Sequence, residues 1–180
     1  MKKYEITDIA HPDNSTLYGI KALIDIPGRG VKAGDLGGYI QSENNLSQNG
    51  DCWVDGNGSV FDNGRVIGNG KVTDNGWVAG YGRVTDNGLV TDNGCVAGYG
   101  RVFGDAMIKK PSDILTISSL GSRNDTLTVL YNKTCATGCF QGTVDEFLAA
   151  VKETHRNNKY AKLYCKAINF AYEYFDWERV

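Results

Sequence analysis

Valine recurs every six residues, at Val54, Val60, Val66, Val72, Val78, Val84, Val90, Val96 and Val102, and glycine stands two places ahead of eight of them, from Gly58 to Gly100. A period of six is neither the 3.6 of an α-helix nor a simple hairpin alternation, and hexapeptide repeats mark parallel β-helices. Three hexads make one coil, so the pattern should also repeat at eighteen. It does: W-V-A-G-Y-G-R-V-T-D-N-G from Trp77 to Gly88 returns as C-V-A-G-Y-G-R-V-F-G-D-A from Cys95 to Ala106. The expected fold is therefore mainly β, a triangular parallel β-helix. Its valines and the glycines two places earlier face inward, because side chains alternate across a strand. The triplets D-N-G, G-N-G and G-Y-G supply the corners, being tolerant of positive φ or able to bond to their own backbone.

Each of the three faces then displays its own file of outward residues. The first carries Ser59, Trp77 and Cys95 ahead of the valines and Phe61, Ala79 and Ala97 after them. This apolar file is expected to be an interface, covered either by the tail folding back or by a second copy, since soluble monomers rarely expose a large apolar patch; a homodimer is expected. The second face stacks Arg65, Arg83 and Arg101 beside Ile67, Thr85 and Phe103, and the third sets Lys71, Leu89 and Met107 beside Thr73, Thr91 and Lys109. Adjacent coils lie about 4.8 Å apart, so three stacked guanidinium groups repel unless an anion or carboxylate lies between them.

Three segments differ in pattern. Residues 1–34 read as a strand-rich cap, in which the strand-like Leu17 to Ile26 covers the open end of the coil. Residues 35–110 form the β-helix, with a two-residue corner insertion around Asp51 to Gly58. Residues 111–180 change period and read as an α+β module of three strands, Ile114 to Leu120, Thr126 to Tyr131 and Thr134 to Phe140, followed by two helices. The first helix opens on a capping box, Thr143 with Glu146, and repeats Phe147, Leu148 and Val151 at helical spacing. The second spans about Lys159 to Phe175 with Leu163, Ala167, Phe170 and Tyr174 along one stripe.

Composition narrows the function. Lys and Arg number 19 against 21 Asp and Glu, and the signs are shared out along the chain, which argues against a general nucleic-acid binder. No run of about 18 apolar residues is long enough for a membrane span, and M-K-K-Y-E-I-T-D is not followed by the apolar stretch of a secretory signal. Five scattered cysteines, Cys52, Cys95, Cys135, Cys139 and Cys165, fit a reducing cytosol.

The order Y-E-I-T-D, L-Y-G-I-K-A-L, G-D-L-G-G-Y-I-Q-S-E-N-N-L-S, C-W-V with N-G-x-V hexads, then G-S-R-N-D-T-L-T-V and G-C-F-Q-G-T-V-D-E-F-L-A-A-V-K-E-T-H resembles a group of phage and prophage hexapeptide-repeat proteins. The resemblance covers nearly the whole chain. It implies a left-handed coil and a phage-type product acting in the cytosol of a host bacterium, and it brings no catalytic residue with it. By analogy with small phage accessory proteins, it implies an inhibitor of a host defence system, anti-CRISPR or similar, that occludes a partner surface.

The residues that carry chemistry leave binding as the expected activity. Acyltransferases built on such coils place a histidine as general base at a cleft. Here the coils hold none; His11 lies in the cap and His155 near the end of a tail helix, where positive charge is welcome. No catalytic residue, metal or cofactor is therefore assigned. Asp62, Asp74, Asp86 and Asp92 sit at corners, where Asp-Asn-Gly is wanted for conformation, although Asp74 and Asp92, one coil apart, are also spaced to share calcium. Cys135 and Cys139 read as small buried apolar residues rather than zinc ligands. The partner-binding candidates are Arg65, Arg83 and Arg101, with Tyr81 and Tyr99 at neighbouring corners and Arg123 in the G-S-R-N-D loop. The arginines either solubilise exposed strands or meet acidic side chains, a nucleotide or nucleic acid; the tyrosines either stack for stability or offer a platform. The expected partner is a bacterial protein or nucleoprotein. The rival is a structural spacer that assembles through its faces.

Overall fold

A computed structural model describes residues 1–178, which form two compact units, Met1–Pro111 and a second from Ser112 onward. The first unit holds strands β1 (Tyr4–His11), β2 (Asn14–Ala22) and β3 (Leu36–Ile40). Ten two-residue strands follow: β4 (Trp53–Val54), β5 (Ser59–Val60), β6 (Arg65–Val66), β7 (Lys71–Val72), β8 (Trp77–Val78), β9 (Arg83–Val84), β10 (Leu89–Val90), β11 (Cys95–Val96), β12 (Arg101–Val102) and β13 (Met107–Ile108). They stack in parallel into three walls, β3-β5-β8-β11, β6-β9-β12 and β4-β7-β10-β13. This is the parallel β-solenoid that the period of six and eighteen predicts.

Why glycine precedes eight of the nine valines is a matter of space. A Cβ built on Gly64 or Gly82 would lie 2.7 Å from the carbonyl oxygen of Val78 or Val96 in the next coil. Ala106 takes the equivalent place in the last hexad, whose strand β13 pairs on one side alone. The valines between these glycines are fully buried, from Val54 to Val102, and burying each is worth about 1.5–3 kcal/mol. Asp62, Asp74, Asp86 and Asp92 turn the corners at φ of 50° to 54°, a left-handed geometry that Asp tolerates because its side chain can bond locally.

The start of the coil differs from the expectation in two ways. β2 pairs antiparallel with β3, and β3 pairs parallel with β5, so β1 and β2 also prolong the first wall. The end layer is packed by Tyr4 and Trp53, both buried, with rings edge-on at 6.5 Å, and the Tyr4 hydroxyl donates to the Leu46 carbonyl at 2.7 Å. The two-residue insertion is present but sits earlier. Ile40 pairs with Val60 and Leu46 with Val66, twenty apart, whereas Trp53 pairs with Lys71, eighteen apart. The extra residues therefore lie between Leu46 and Trp53. Buried Lys3 braces this corner, its Nζ donating to the carbonyls of Gly50 at 3.1 Å and Cys52 at 2.8 Å. Buried Asn45 donates from Nδ2 to the Asp62 and Gly64 carbonyls, standing in for a missing strand.

The second unit is a four-stranded antiparallel sheet, β14 (Ile114–Leu120), β15 (Asp125–Leu130), β16 (Thr134–Thr137) and β17 (Phe140–Thr143), followed by α1 (Val144–His155) and α2 (Lys159–Tyr174). The stretch expected as one strand from Thr134 to Phe140 is a hairpin, because Gly138 turns the chain at φ 53°. The capping box on α1 forms: Thr143 Oγ1 accepts from the Glu146 amide at 3.2 Å, and Glu146 Oε2 accepts from the Thr143 amide at 2.8 Å. The Thr143 amide, and then the Thr143 hydroxyl that donates to the same oxygen at 2.9 Å, hold the Glu146 carboxyl below its ordinary range. On α2 the expected stripe is out of phase. Ala161, Tyr164, Ala167, Ile168 and Ala171 are buried with Leu127, Val129, Phe147 and Val151, while Leu163, Phe170 and Tyr174 are exposed at 43%, 51% and 42%. The alanines let the helix approach closely, and the larger side chains are left outside. No helix among the described residues is long and apolar enough to cross a membrane.

Gly82→Ala is expected to lower stability by about 1–3 kcal/mol, the usual cost of overpacking. Gly98→Asn, at a corner with φ 58° and nothing within 4 Å of an added Cβ, should stay within about 0.5 kcal/mol of the parent. Urea denaturation followed by tryptophan fluorescence measures both, and equal effects would contradict the packing account.

Candidate interaction surface

The arginine file exists as a file. In the second wall Arg83 pairs in register with Arg65 on one side and Arg101 on the other. Arg65 and Arg83 are exposed and Arg101 is half-buried. Among the described residues neither Arg65 nor Arg83 joins an ion pair, whereas Arg101 has an interaction of its own. Two exposed, uncompensated guanidinium groups thus stand one coil apart, held there by the backbone ladder. Ile67, beside them, is exposed and Phe103 is buried.

Tyr81 and Tyr99 stand two residues ahead of Arg83 and Arg101, at the corner that opens this wall. Their rings lie face to face, 4.8 Å between centroids and 2° from parallel, and both side chains are exposed. Aromatic carbons meet at about 3.5–4.0 Å, so a third ring inserted between them would need about 7 Å. The pair is closed to an intercalating base. It presents ring edges and hydroxyls as a stiff ridge beside the arginines.

On the first wall, Ser59, Trp77 and Cys95 align as expected. Phe61 and Trp77 stack at 5.9 Å, 26° from parallel. Ser59 and Ala79 are buried, Phe61, Trp77 and Cys95 half-buried and Ala97 exposed. The tip of the β1–β2 hairpin stands beside this wall, with the His11 ring edge-on to Tyr39 at 4.6 Å, so a segment of the first unit itself flanks the expected interface. His11 Nδ1 accepts the Asp13 amide at 3.1 Å.

The corner carboxylates brace the coil above them. Asp62 Oδ2 accepts from the Gly80 amide and Asp86 Oδ2 from the Gly104 amide, each at 3.3 Å, and Asp74 accepts the Thr91 hydroxyl. Among the described residues no group of three or more His, Cys, Asp or Glu is arranged to hold a metal.

Arg123 belongs to the second unit. It lines a cleft of about 180 Å³ with Cys139, Phe147, His155 and Tyr164. Cys135 is buried, its thiol pushed up to about 12 by desolvation and then by Glu146. Cys139, expected to be buried as well, is exposed because it sits at the β16–β17 turn. Its sulfur accepts from Arg123 Nη1 at 3.5 Å, and that bond and charge hold the thiol below its ordinary range. His155 ends α1 between Tyr160 and Tyr164, 5.9 and 5.7 Å away. Sequence reasoning missed the Arg123–Cys139 pair, since the two residues are sixteen apart across two strands; the glycine of T-C-A-T-G-C was the available turn signal.

Comparison with protein-family models, with curated proteins and with solved structures found no match to this chain.

Labelling of Cys139 by iodoacetamide, followed peptide by peptide by mass spectrometry across pH, should reach half its maximal rate at a higher pH in Arg123→Ala than in the parent. An unmoved midpoint contradicts the pairing.

Proposed function

We propose that this protein is a non-enzymatic binding protein that occludes a surface of a bacterial protein or nucleoprotein, with the Arg65–Arg83–Arg101 wall and its Tyr81–Tyr99 ridge as the contact. The observation that carries the reading is the register of the arginines: like charges are held one coil apart, with Arg65 and Arg83 in no ion pair among the described residues. Such an array gains most when a partner supplies anions at matching spacing, and guanidinium pairs with carboxylate bidentately. A row of acidic side chains on a protein suits it better than a phosphate backbone. The tyrosine ridge has no slot for a base, and corner carboxylates such as Asp86 border the wall instead of a broad basic field. The phage resemblance directs the reading toward a component of host defence acting in the bacterial cytosol.

The test is affinity capture from a bacterial lysate with the parent, followed by titration of the captured partner against the Arg83→Ala, Arg101→Ala double variant. Affinity should fall by about tenfold or more per arginine, while circular dichroism and sedimentation stay unchanged. Unchanged affinity in the double variant contradicts the proposal, as does competition by duplex DNA as strong as by the captured protein.

A further inference from the structure

A second surface of the first unit carries different chemistry. Between the tip of the β1–β2 hairpin and the first wall runs a groove of about 430 Å³, within the range of small-molecule sites. Phe61 and Trp77 line it, with ring centroids 5.9 Å apart and planes 26° from parallel. Along one side lies an amide pair: Asn57 Nδ2 donates to Asn75 Oδ1 at 3.2 Å. That bond orients both side chains, leaving Asn57 Oδ1 as an acceptor and the Asn75 N–H groups as donors. The hairpin brings His11 and the Asp13 carboxylate to the same groove. No lysine or arginine lines the groove.

We propose that this groove binds a neutral pyranose sugar, its C–H face on Phe61 and Trp77 and its hydroxyls on Asn57, Asn75, His11 and Asp13. The absence of a lining cation, with one carboxylate present, disfavours phosphates and other anions. An apolar ligand would strand the amide pair without partners, which is costly on burial. A ring with one apolar face and hydroxyls around its edge meets both demands. Asn57 offers an acceptor and Asn75 offers donors, and a hydroxyl both gives and accepts. The groove and the arginine wall share no residue, so this inference stands or falls apart from the proposed function.

The test is a set of ¹H–¹⁵N spectra of the full chain titrated with glucose, galactose and N-acetylglucosamine, their methyl glycosides, and adenosine. At least one sugar should shift the Trp77 indole N–H and the Asn57 and Asn75 side-chain amides saturably, leaving Trp53 and Trp177 unmoved. A methyl glycoside that binds as well as its free sugar marks a glycan terminus as the source; binding of the free sugar alone marks a monosaccharide. Trp77→Ala should abolish the response. Asn75→Ala, at an exposed corner, keeps the test alive should Trp77→Ala fail to fold, and should weaken binding about tenfold with an unchanged melting curve. The proposal is overturned if no sugar shifts these signals, if adenosine alone does, or if the response survives Asn75→Ala undiminished.

Discussion

The first unit depends on a close approach that only glycine allows. Two places before most of the valines the chain passes so near a carbonyl of the next coil that a Cβ would crowd it, at 2.7 Å for Gly64 and Gly82. That contact sets the height of each coil, lets the valines fill the interior without gaps, and leaves two-residue strands long enough to pair. Each outward side chain then recurs directly above its equivalent eighteen residues later. Register, not hydrophobicity alone, turns a periodic sequence into ordered files.

From this constraint the surface chemistry follows. Two unit charges about 4–5 Å apart repel by roughly 1 kcal/mol in water, so the guanidinium file opposes folding by an amount that valine burial readily exceeds. The backbone ladder imposes the alignment whether or not the side chains favour it. Tyr81 and Tyr99, held by the same ladder, stack in parallel. A surface organised before it meets a partner loses little entropy on binding, which is the advantage a rigid solenoid gives to a protein that works by contact.

How much of this was legible in the sequence varies with the range of the interactions involved. The coil, its three faces and the arginine and tyrosine files all follow from one spacing and were readable directly. The corner insertion was readable in size but not in place, because Cys52 stands where a glycine is expected and draws the apparent break toward itself, while the extra residues precede it. The phase of α2 was misread because bulk suggested Leu163, Phe170 and Tyr174 as the core stripe, whereas close packing selected the alanines. Neither the groove beside Trp77 nor the Arg123–Cys139 pair was visible. Both arise where separate segments meet: a bent hairpin placing His11 against Tyr39, and a turn placing Cys139 against Arg123. The i, i+18 rule applied to Asn57 and Asn75 would have found the amide pair alone.

Cysteine cross-linking measures the vertical alignment most directly. Neighbouring coils about 4.8 Å apart fall within the Cα separation of about 4.4–6.8 Å that a disulfide spans. Arg65→Cys with Arg83→Cys should therefore join on mild oxidation, as read by peptide mass mapping, whereas Arg65→Cys with Leu89→Cys, on different walls, should not. Failure of the first pair to join, or ready joining of the second, would contradict the file of arginines and the contact surface built on it.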